Sequence, residues 1–201
     1  MINIRAAWAA IVLTVIGAAG FLIMPVVLAA TVARFAFTER EVGFIASLLM
    51  TGATLSALSA LFWVRILDWR LAARIGLLLQ GLGLIAVTLA DGFAAVGAAY
   101  LCASLGGGAV YSLALTILSD HRSPDRMFGY SITAQVAFQV AGMLALSWFA
   151  TVNGLNHLMW TLVALVAVGF TLTPLLPRKG AVAAAFSLLA VLRQGKAFLA
   201  L

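Results

Sequence analysis

The chain has 201 residues, 65% of them hydrophobic and only 9% charged, with a formal net charge of +6. A soluble domain carries roughly 25% charged residues, and a chain this small cannot bury that much apolar surface away from water. The basic balance does not point to nucleic acid, because the arginines lie in short loops flanking apolar runs, where they orient a chain in a bilayer.

Charge is absent between Arg5 and Arg34, between Glu41 and Arg65, between Asp91 and Asp120, and between Arg126 and Arg178. A helix needs about 20 apolar residues to cross the hydrocarbon. A lipid-spanning barrel would show short alternating segments of about ten residues, whereas these runs are long, continuous and rich in Ala, Leu and Val. In lipid every backbone polar group must be satisfied within the segment, so the composition predicts an all-α membrane protein. Six transmembrane helices form a bundle over residues 1–177.

The first helix is predicted over 6–31, interrupted by Gly17, Gly20 and Pro25. Arg5 and the small residues after Ala30 resemble a signal peptide, but the apolar stretch is longer than an h-region of about 7–15 residues and contains Pro25. A retained helix is the expectation, cleavage the alternative. Thr38 and Glu41 are spaced as a capping box and start a second helix, 41–64. A loop with Arg65, Asp68, Arg70 and Arg74 leads to a third, 71–90. Asp91–Gly92 makes a tight turn into the fourth, 93–118, which carries Gly106, Gly107 and Gly108. Ser123 followed by Pro124 is a strong helix start for the fifth, 125–150. A polar loop, Asn153 to His157, precedes the sixth, 158–175. The tail, 178–201, reads as a cytoplasmic amphipathic linker and the start of a further, truncated apolar helix.

With six crossings, ten of the twelve Lys and Arg residues fall on one side, and Arg34 and Arg40 on the other. That bias places both termini in the cytoplasm of an integral membrane protein, expected in a bacterial inner (plasma) membrane. Gly43–Phe44 and Gly129–Tyr130 open helices two and five after charged loops, from opposite sides. This fits a 3+3 inverted repeat of the kind transporters use, or a chance pair.

These features together resemble the amino-terminal half of a transporter of the major facilitator superfamily. The resemblance covers about residues 6–201. That family's loop between helices two and three reads Gly-x-Leu-x-Asp-Arg-x-Gly-Arg-Arg. Here it runs from Val64 through Asp68 to Arg74, with Asp68 in the acidic position, Arg70 and Arg74 standing for the basic ones, and Val64 and Leu71 in place of the glycines. The fourth-helix signature, Arg-x-x-x-Gly-x-x-x-Gly, aligned on Gly108, meets Tyr100 and Ser104 instead of Arg and Gly, which argues against a proton relay there. The resemblance implies a secondary transporter that moves a small organic solute by alternating access against a second six-helix bundle. It also implies that Asp68, with Arg65, Arg70 and Arg74, acts as a cytoplasmic gate loop. The alternative is solvated neutralisation of those arginines. A self-contained membrane scaffold or homo-oligomeric subunit is the rival for the whole chain.

Every acid lies in a loop or at a helix end, so no mid-membrane carboxylate offers a proton carrier. Gln135 and Gln139 lie one turn apart and share a helix face. With Tyr111 they are the substrate-cavity candidates, helix–helix hydrogen bonding being the alternative. Gln80 reads as interhelical glue, and Ser47, Thr51 and Thr54 as a stripe bonded back to its own helix. Gly17, Gly20, Pro25 and Gly106 to Gly108 are expected to let helices pack closely or flex. No catalytic group, cofactor or metal site is expected: the sequence has no His-Glu-x-x-His or Gly-x-Ser-x-Gly, and His121 and His157 fall on opposite sides. The expected partners are the lipid bilayer, a small solute and the second bundle, not nucleic acid.

Overall fold

A computed structural model describes residues 2–178. The predicted tail segment, apart from its first residue, lies outside the described residues. Within them the chain is all-helical: α1 (Ile4–Leu22), α2 (Met24–Phe35), α3 (Glu39–Trp63), α4 (Trp69–Leu89), α5 (Phe93–Ser119) and α6 (Pro124–Leu172), closed by a 3-10 turn, Thr173–Leu175. Five of these helices are long and apolar enough to cross a membrane. Their outward faces stay apolar, with Leu89, Leu144 and Trp148 at 75%, 74% and 70% exposure. An outside as apolar as the inside belongs against lipid, and the chain is an integral membrane helical bundle.

The local chemistry sets where each helix begins. Asn3 caps α1 by accepting from the Arg5 amide. Thr38 and Glu41 form the reciprocal capping box read from the sequence: the Thr38 amide donates to Glu41 Oε2 at 2.8 Å and the Glu41 amide to Thr38 Oγ1. Asp68 Oδ1 accepts from the amides of Arg70 and Leu71, which starts α4 two residues earlier than expected. Gly92, at φ +88°, turns the chain into α5.

Two expected boundaries differ. The predicted first helix, 6–31, is two helices that break at Ile23 (φ −111°, ψ 22°). Pro25 has no amide hydrogen to continue the ladder, so the helix ends and restarts with proline in its first turn. Conversely, the fifth and sixth helices, predicted with a loop over 153–157, stay helical through that stretch except at Gly154 (φ 77°, ψ 178°). The reversal is accomplished at one residue, because glycine alone takes that conformation without strain.

Contacts define two ends. At one, Arg65 pairs with Asp120 at 2.8 Å, Arg70 Nε donates to the Leu176 carbonyl, Arg74 Nε to Thr173 Oγ1, and Trp8 stacks on Tyr130. At the other, Arg34 donates to the Asn156 side chain and the Thr88 carbonyl, and Phe35, Phe37, Phe44 and Phe93 form an aromatic cluster. The described chain therefore runs between the two ends six times. α1 with α2 make one pass and α6 makes two, over 124–153 and 155–172. Arg5, Arg65, Arg70, Arg74, Arg122, Arg126 and Arg178 gather at the first end, Arg34 and Arg40 at the second.

α5 is the central element, packed against α4, α3 and α1. Its three consecutive glycines explain how. Successive residues of a helix point about 100° apart, so each addresses a different neighbour. A methyl group on Gly106 would strike the backbone of Gln80 and Gly76 in α4. On Gly107 it would lie 2.5 Å from the Gly17 carbonyl oxygen in α1. On Gly108 it would lie 2.8 Å from Ser56 Cβ in α3. The triplet lets three helices approach one rod, and α5 stays an uninterrupted helix through it.

Candidate functional site

A cavity of about 360 Å³ lies in the middle of the bundle, between α1, α3, α5 and the first limb of α6, and reaches inward to α4 and the second limb. Its walls are mostly aliphatic and small. The break between α1 and α2 lies beside it: Gly20 and Phe21 line the cavity just before Ile23. The residues that form it carry hydroxyls and amides (Thr54, Gln80, Tyr100, Ser104, Tyr111, Ser112, Gln135) and no charged side chain.

Three buried polar contacts shape the site. Thr14, fully buried in α1, donates to its own Ile11 carbonyl at 2.7 Å and meets Ser131 Oγ at 2.8 Å. Gln135 Nε2 in turn donates to Ser131 Oγ at 3.0 Å. This relay ties the first limb of α6 to α1. On the far side of α1, Gln80 Nε2 donates to the Ile16 carbonyl at 2.9 Å, tying in α4, while its Oε1 is buried without a hydrogen-bond partner. Deeper, the Tyr100 hydroxyl bonds Thr31 Oγ1 at 2.7 Å, and Thr31 donates to Val27. Because Thr31's hydrogen is committed to the Val27 carbonyl, the tyrosine is the donor in that pair.

The expected cavity residues divide. Gln135 and Tyr111 line the cavity and are half-buried. Gln139 does not line it and is exposed on the outside of α6. One helical turn rotates 40° past a full circle, enough here to carry Gln139 past the rim while Gln135 stays inside. Gly17, Gly20 and Gly108 line the cavity, but Gly106 and Gly107 serve the packing of α5, and Pro25 stands behind the break it causes. A methyl group at Gly20 would meet nothing within 4 Å. Ser47 and Thr51 bond back to their own helix, as expected, and Thr54 of the same stripe reaches the cavity.

The gate-loop residues form a different arrangement from the one the loop motif suggests. Asp68 spends Oδ1 on two backbone amides of its own helix. The arginines act as ties: Arg65 to the end of α5, Arg70 and Arg74 to the turn after α6. Trp69, wholly buried, completes the latch: its amide donates to the Arg178 carbonyl and its indole to the Val64 carbonyl.

No protein-family model matches the chain, and no curated protein sequence matches it. Among the described residues, no three of His, Cys, Asp and Glu come together as metal ligands. Sequence reasoning passed over Thr14 and Ser131. Ser131 and Gln135, four apart, were a readable pair, but their partner lies 117 residues from Ser131. In the sequence Tyr100 is marked only by standing where the fourth-helix signature has an arginine.

Proposed function

We propose that this chain is a six-helix bundle of a secondary membrane transporter of the major facilitator type, moving a small organic solute by alternating access against a second such bundle. The observation that carries this is the mid-bundle cavity, bounded by a broken helix and furnished with amides and hydroxyls. Broken helices at a central site are the usual device of transporters, and concave, mostly apolar pockets with a few convergent polar groups are the usual form of a small-molecule site.

The packing pattern supports a 3+3 inverted repeat. Exchanging passes one, two and three for four, five and six turns the α4–α5 seam into the seam of the second α6 limb on α1, where Gly169 faces Ile16, and the α3–α5 seam into that of the first limb on α1, where Ser131 meets Thr14 and Tyr130 stacks on Trp8. Gly17 and Gly107, on the two passes the exchange interchanges, meet each other. α3 and α6 share no packed seam, so the cavity opens between them, where a second bundle would close it. The excess of arginine at one end orients that end to the cytoplasm.

The test uses vesicles from cells expressing the full-length protein in a Cys102→Ala background, with a single cysteine introduced as Gly20→Cys. A cavity that opens alternately lets a membrane-impermeant thiol reagent reach this cysteine in right-side-out and in inside-out vesicles, while an entrapped dye is retained. Reaction from one side only, or from neither, would overturn alternating access and favour a scaffold.

A further inference from the structure

The two amides at the cavity are anchored by their nitrogens, which fixes what they offer a ligand. Thr14 donates its hydroxyl hydrogen to the Ile11 carbonyl. In the Thr14–Ser131 contact it therefore accepts, and Ser131 must donate. With its own hydrogen committed, Ser131 accepts from Gln135, so the amide nitrogen of Gln135 faces Ser131 and its oxygen is turned away. Gln80 obeys the same logic. A backbone carbonyl only accepts, so the group against Ile16 is the amide nitrogen, and Oε1 is left buried with no donor. The hydroxyls of Tyr111, Ser112 and Thr54 can turn to give or take a hydrogen. The amides cannot.

We infer that the cavity selects uncharged solutes that combine an apolar body with at least one N–H or O–H donor, recognised by the amide oxygen of Gln135. The apolar walls supply the body's contact surface, and the lining provides no counter-charge for an ion. Capping the solute's donor with a methyl group leaves this acceptor unanswered, and an unmet acceptor discriminates strongly. The inference rests on the transport reading for its choice of site, but it concerns binding and is measured without transport.

The experiment uses the full-length protein purified in detergent and matched probes that differ only in the donor: indole against 1-methylindole, phenol against anisole, and cyclohexanol against its methyl ether. Saturable thermal stabilisation reports binding. The donor-bearing member of at least one pair is expected to bind about tenfold tighter than its methylated partner. Gln135→Met, of similar length without the amide, is expected to erase that preference while the apolar member binds as before. Gln135→Leu serves as the second variant, so that a folding defect in either leaves the other to decide. Equal affinity within every pair, no binding by any probe, or a preference that survives both substitutions would overturn the inference. The transport reading stands or falls separately, on the two-sided reactivity of Gly20→Cys.

Discussion

At the scale of single residues, the bundle depends on side chains that are missing as much as on those present. Gly106 presses directly on the α4 backbone, whereas a methyl group on Gly129 would meet nothing within 4 Å. Gly106→Ala is therefore expected to destabilise the protein by about 1–3 kcal/mol through overpacking. Gly129→Ala is expected to be neutral or to stabilise by up to about 1 kcal/mol through helix propensity. Thermal unfolding of both in detergent checks the contrast, and equal effects would refute this account of the triplet. Tyr100 and Thr31 are both 1% exposed. Tyr100→Phe removes the donor and is expected to cost about 1 kcal/mol, read in the same assay. The glycine triplet was legible in the sequence as a packing device. That its members serve three separate helices was not, because nothing local says which neighbour stands at each 100° step.

At the scale of elements, helix starts were the most readable feature and helix interruptions the least. The capping box at Thr38 and the Ser123–Pro124 start are local chemistry within four residues; the structure has both starts, although Ser123 makes no side-chain capping bond and the proline alone marks the second. Thr38→Ala is expected to cost about 1 kcal/mol by removing the cap. Asp68 is the more informative case. Its oxygen caps α4, and asparagine caps about as well as aspartate. Asp68→Asn is therefore expected to unfold within about 0.5 kcal/mol of the parent, and Asp68→Ala about 1 kcal/mol below it. An equal loss in both would mean that the charge matters more than the cap. At Ile23 a helix expected to continue through its interruption is split in two, and at Gly154 an expected loop is reduced to one residue. Pro25 ends one helix and a second begins at Met24, while the polar stretch around Asn153 is helical on both sides of one glycine. Propensity cannot decide such cases, since neighbouring helices determine whether freed carbonyls are re-satisfied.

At the scale of the whole molecule, the two ends make a prediction of their own. Ser123 lies at the arginine-rich end and Asn153 near the opposite one. Single cysteines at these positions in a Cys102→Ala background are expected to react with an impermeant reagent from opposite sides of the membrane, Ser123→Cys from the cytoplasm. Labelling from the same side would break the six-pass topology. The spacing of charges alone determined that the chain belongs in lipid, because every long stretch between charged clusters must find an apolar solvent, and that argument needs no partner residue. The tertiary structure alone decided which polar groups meet. Thr14 finds Ser131, Gln80 finds the Ile16 carbonyl, and Gln139, one turn from Gln135, is left outside. Hydrogen bonds between passes depend on rotation and depth of rods that share no local sequence, so only the packed bundle could fix them.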